Sequence, residues 1–101
     1  MKNEKNVEIK SSELLKIIVK NCPQAILIDG FDECIVGVHI GVAQTNVLYS
    51  FGKIIHTLMK RDEMDYNDAC EFFDYNIAGL CFPKDITPYY LKDSYMNPSL
   101  N

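Results

Sequence analysis

Two adjoining stretches of this chain carry the same apolar spacing, and that repetition constrains the fold more than anything else in it. Phe51, Ile54, Ile55, Leu58 and Met59 fall at i, i+3, i+4, i+7 and i+8. Ala69, Phe72, Phe73, Asn76 and Ile77 do the same. Each set lies along one side of an α-helix, so each predicts an amphipathic helix. Ser50 and Asp65 stand where N-caps belong, and Asp68 completes a loose capping box for the second helix. Gly79 is placed to end that helix in a left-handed cap. Lys53, His56 and Lys60 lie opposite the first apolar face, and Arg61, Asp62 and Glu63 interrupt the pattern. So short a connection predicts an antiparallel αα-hairpin over residues 51–78.

A hairpin of this kind needs something to cover its apolar side. Residues 25–28 (AILI), ended by Asp29-Gly30, read as a strand. Ile35, Val36, Val38 and Ile40 around Gly37 read as a second, with a bulge or a close neighbouring backbone at the glycine. Residues 46–49 (NVLY) and 89–91 (YYL, after Pro88) supply two more. AILI and CIVGVHI are expected to pair as a hairpin. Ahead of them, Ser11 or Ser12 can cap a helix with Glu13 in its first turn. Leu14, Leu15, Ile18 and Val19 form its apolar side, and Pro23 stops it near Asn21. The fold expected is α+β: a small antiparallel β-sheet packed against an αα-hairpin, plus an N-terminal helix. Residues 11–91 form one domain in this reading, with flexible ends at 1–10 and 92–101. A sheet edge at NVLY or YYL would be free to pair between protomers as a homo-oligomer.

Charge and composition narrow the function classes. With 101 residues the chain has room for one domain. Its 10 basic residues are scattered and outnumbered by 14 acidic ones. Direct nucleic-acid binding is therefore disfavoured, because phosphate neutralisation needs a basic stripe. No apolar run approaches the roughly 20 residues that span a bilayer, and the first ten residues do not resemble a signal peptide. A soluble, cytoplasmic protein with reduced thiols is expected. Cys22, Cys34, Cys70 and Cys81 match no zinc-ligand spacing and read as small buried hydrophobes. Neither a metal nor a cofactor is expected.

From Gly30 to Pro88 the chain carries a recognisable series: Gly30-Phe31-Asp32, Ile35-Val36-Gly37, Tyr49, Met64-Asp65-Tyr66-Asn67-Asp68-Ala69, Glu71-Phe72-Phe73-Asp74-Tyr75-Asn76-Ile77-Ala78-Gly79 and Thr87-Pro88. In this it resembles a family of short, uncharacterised bacteriophage and bacterial proteins. The resemblance covers about three-fifths of the chain and is most specific at EFFDYN-x-x-Gly. It departs where Ser50 follows Tyr49 and where Leu80-Cys81-Phe82-Pro83 follows Gly79. It implies kinship and a phage-type origin, with the host cytoplasm as the site of action, but no mechanism.

Among individual residues, Asn76 stands out because it occupies an apolar register. A buried amide must be paired, so it is expected to tie its helix to nearby backbone, with ligand contact as the alternative. Cys34 and His39 could be imagined as nucleophile and base, but positions five apart on a regular strand point to opposite faces. Asp29, Asp32 and Glu33 form an acidic turn; local hydrogen bonding explains them more simply than a cation does. Asp62, Glu63, Asp65, Asp68, Glu71 and Asp74 form an acidic face, which is either solvated surface or a means of steering a basic partner. The leading expectation is a non-enzymatic interaction module that modulates a host system through a protein partner. The competing class is a small-ligand or nucleotide-binding domain using Gly30–Asp32 and the neighbourhood of Asn76.

Overall fold

The computed structural model describes residues 10–41, 45–80, 82–83 and 86–93. The flexible ends expected from the sequence, and Cys81, fall almost wholly outside these residues. Within them the chain is a small α+β fold of three helices and a three-stranded mixed sheet. In chain order these are α1 (Ser11–Asn21), β1 (Ile35–Ile40), β2 (Thr45–Ser50), α2 (Phe51–Arg61), α3 (Tyr66–Asn76) and β3 (Tyr89–Leu91), with a 3₁₀ turn at Asp32–Cys34 before β1.

The sheet runs β1-β2-β3. β1 and β2 are antiparallel, whereas β2 and β3 are parallel, which corrects the all-antiparallel expectation. β3 reaches β2 only after two helices, and a crossover of that kind delivers a strand in the parallel sense. NVLY belongs to the central strand, so it offers no edge; the outer strands are β1 and β3. The bulge expected at Gly37 is present as a register shift between Ile35 and Gly37. No heavy atom stands within 4 Å of where a Gly37 Cβ would lie, so the glycine marks the bulge and not a close approach.

AILI is not a strand. Turns flank it, closed by Ala25 N–H to the Cys22 carbonyl (3.0 Å) and Phe31 N–H to the Ile28 carbonyl (3.3 Å). Its inner backbone donor, Ile28 N–H, goes to the Tyr49 hydroxyl at 2.7 Å instead of to a ladder. The segment still delivers Ile28 to the core, which also gathers Ile18, Phe31, Cys34, Ile35, Val47, Tyr49, Ile54, Ile55, Leu58, Ala69, Phe73 and Ile77.

The helices follow their patterns with local exceptions. The Ser50 hydroxyl accepts from Lys53 N–H at 3.0 Å, and the Asp65 carboxylate accepts from Asp68 N–H at 2.8 Å, so both caps form as expected. α1 begins without a side-chain cap. Ser11 instead donates to the carbonyls of Glu33 (3.1 Å) and Ile35 (2.9 Å), fastening the helix to the start of β1. Only Ile18 of α1 is fully buried; Leu14 and Leu15 are half-buried, and Val19 is 54% exposed because the narrow contact with the sheet leaves it outside.

Candidate functional site

The α2–α3 connection and the outer side of α3 carry most of the polar residues singled out above. α2 closes with the Leu58 carbonyl accepting from both Asp62 N–H (3.1 Å) and Met64 N–H (3.3 Å). Between them Glu63 takes a positive φ of 58°, a left-handed conformation that costs a non-glycine residue about 1 kcal/mol. This tight reversal puts Met64 back beside α3 and starts the second cap at Asp65.

The six acidic residues are all exposed, but they do not act as one face. Asp62 is held by Arg61 through paired contacts of 3.2 Å each. Asp65 is occupied as the N-cap. Asp74 points to the flank of α3 that faces Phe51 and Tyr90, lining a cavity there. Asp68 and Glu71 come together on the outer side, where they line an open groove of about 380 Å³ with Met64, Phe72, Tyr75 and Asn76. Among the described residues, Glu63, Asp68, Glu71 and Asp74 take part in no ion pair.

Asn76 is exposed, which overturns the expectation of a buried tie. The buried column of α3 is Ala69–Phe73–Ile77, and Ile77 is already the C-cap with non-helical dihedrals (φ −121°, ψ −68°). Its burial therefore says nothing about the residue before it on a helical wheel. Asn76, ending the helix on the Phe72 flank, faces water. The buried amide belongs to Asn46 on β2, fully buried, whose Nδ2 donates to the Thr87 carbonyl at 2.8 Å. Sequence reasoning passed over it inside NVLY. No local signal marked it, because only the pairing of β2 between β1 and β3 makes that strand central.

The Gly30–Asp32 turn builds a different place. Gly30 has φ +87°, reserved for glycine by sterics. Its carbonyl accepts from Arg61 Nη1 at 2.7 Å, and the same guanidinium lies 4.9 Å from the Phe31 ring centroid. Arg61 thereby clamps the turn to the end of α2. Beside it, Gly30, Asp32, Glu33, Cys34, Thr57 and Arg61 line a depression of about 370 Å³. Asp32 and Asn76 thus line separate cavities. Among the described residues, a ligand reaching both, as the sequence suggested, would have to span these two separate cavities.

No family model, characterised protein or solved structure matches this chain.

Its chemistry therefore rests on local geometry. Cys34 and His39 do not meet: the Cys34 sulfur lies 3.5 Å from the Thr57 hydroxyl, whereas His39 is exposed and stacks on Tyr89 with ring centroids 4.4 Å apart. Burial pushes the Cys34 thiol above its ordinary range despite Thr57, Lys53 and Arg61. It stays protonated near neutral pH and is a weak nucleophile. Among the described residues, no three His, Cys, Asp or Glu side chains gather where they could hold a metal ion. No helix there is long and apolar enough to cross a membrane.

Proposed function

We propose that this protein is a non-enzymatic interaction module that docks a basic surface of a host protein onto the outer side of α3. The observation that carries the reading is Tyr75, 80% exposed, beside Asp68 and Glu71 in a groove whose floor is Phe72 and Met64. The ring stands in water beside two carboxylates that, among the described residues, take part in no ion pair. Tyr and Arg are the side chains that most often anchor interfaces, and a guanidinium can stack on the ring while bonding the carboxylates. α2 and α3 act in this reading as one antiparallel αα-hairpin that presents the groove. The phage-type origin rests on the motif series from Gly30 to Pro88 alone, and with it the host cytoplasm as the place of action.

Affinity capture from host lysate with matched variants tests the proposal. The wild-type chain should retain a partner at low salt and release it as ionic strength rises, since exposed charges are screened within about 10 Å at 0.1 M. Tyr75→Ser and the pair Asp68→Lys/Glu71→Lys should each lose that partner while melting like the wild type. Retention by both variants, or capture of nothing by the wild type, overturns the reading.

A further inference from the structure

A second concavity lies on the other flank of α3 and has a different chemistry. Phe73 is buried to 6% exposure and forms its floor. Phe51, from the first turn of α2, meets the Phe73 ring at 4.9 Å between centroids and 83° between planes. Tyr90, from β3, meets it at 5.0 Å and 86°. Two rings thus meet a third in T-shaped contacts, and the half-buried Tyr66 and Cys70 complete the wall of a cavity of about 400 Å³. That size lies within the range of small-molecule sites. At the mouth stand one carboxylate and one ammonium, Asp74 and Lys92, both exposed.

From this arrangement we propose that the cavity binds a small zwitterion carrying an alkylated ammonium group and a carboxylate. Aromatic faces are electron-rich, and several rings around one space attract an organic cation, most of all a quaternary one that is weakly hydrated and apolar outside. Asp74 supplies the counter-charge for the ammonium, and Lys92 takes the carboxylate. The two charges together select against the simpler ions: a plain cation meets Lys92, and a plain anion meets Asp74. Three chain segments far apart in sequence (Phe51, residues 66–74 and residues 90–92) build the site, so it exists only in the folded protein.

Cys70 inside the wall gives a direct readout. Glycine betaine serves as the probe, and 3,3-dimethylbutanoate, its uncharged-head isostere, as the control. The reduced full-length chain is alkylated with iodoacetamide in the presence of each, and modification is mapped to individual cysteines. Cys22, half-buried but outside the cavity, reports any general effect. Betaine should slow alkylation of Cys70 in a saturable way and leave Cys22 unchanged, while the isostere should have little effect. In Asp74→Asn the apparent affinity should fall about threefold, the scale of one exposed charge contact. Lys92→Gln should weaken it severalfold. Both positions are exposed, so both variants should melt as the wild type does. Absence of protection by betaine, equal protection by the isostere, or an Asp74→Asn variant that binds as before would each overturn the proposal.

Discussion

Asn46 and Asn76 separate cleanly at the scale of single residues. Both look alike in the sequence, an amide among apolar neighbours, yet only Asn46 is enclosed. Its bond to the Thr87 carbonyl holds the approach to β3 against the central strand, 41 positions away along the chain. Removing a buried partner leaves a carbonyl without its donor, so Asn46→Ala should cost about 1–3 kcal/mol in urea unfolding. Asn76→Ala should change stability by no more than about 0.5 kcal/mol, as exposed substitutions do. Equal losses would mean that the tie lies at Asn76 after all. The sequence identified an amide in this role but attached it to the wrong residue, because helical register stops being a guide at a helix's last turn.

At the level of elements, the end of α3 shows the same distinction between place and reason. A glycine two positions beyond Ile77 suggested a left-handed cap, and the helix does stop there. Yet Gly79 is not among the positive-φ residues. A Cβ at this position would lie 2.7 Å from the Asp74 carbonyl oxygen and 3.0 Å from that of Tyr75. The turn folds back so tightly onto the helix's last carbonyls that a methyl group has no room. Gly79→Ala should therefore cost about 1–3 kcal/mol by overpacking. Gly37→Ala, with open space around it, should be neutral or slightly stabilising by restricting the unfolded chain. Thermal melts of the two variants check the pair; a tolerated Gly79→Ala would show that the close approach relaxes at little expense. Local signals did fix both caps at Ser50 and Asp65, since a cap needs only residues within its own first turn.

For the whole molecule the joint to watch is Tyr49, whose partner 21 positions away no local pattern reveals. It is fully buried on the central strand, and its hydroxyl accepts from Ile28 N–H at 2.7 Å. Tyr49→Phe should cost about 1–3 kcal/mol at neutral pH because that donor loses its partner. Burial, chiefly, raises the Tyr49 hydroxyl from its ordinary 10.0 to about 12. Below pH 10 both folded and unfolded chains keep the proton. Between pH 10 and 12 the unfolded chain gives it up first, so stability declines across that window. Denaturation curves taken through the window should fall less steeply for Tyr49→Phe than for the wild type; parallel curves would remove Tyr49 as the cause. The sequence alone determined the helices, the caps at Ser50 and Asp65, the bulge at Gly37 and the three strand segments, because each is decided by contacts a few residues apart. Tertiary structure alone decided that AILI is an extended bridge instead of a strand and that β3 joins β2 in parallel. It also decided that Asp74 leaves the acidic face for an aromatic cavity and that Asn46, not Asn76, is the buried amide. Those outcomes depend on which distant segment supplies a hydrogen-bond partner or covers a face, and that information appears only when the chain has closed on itself.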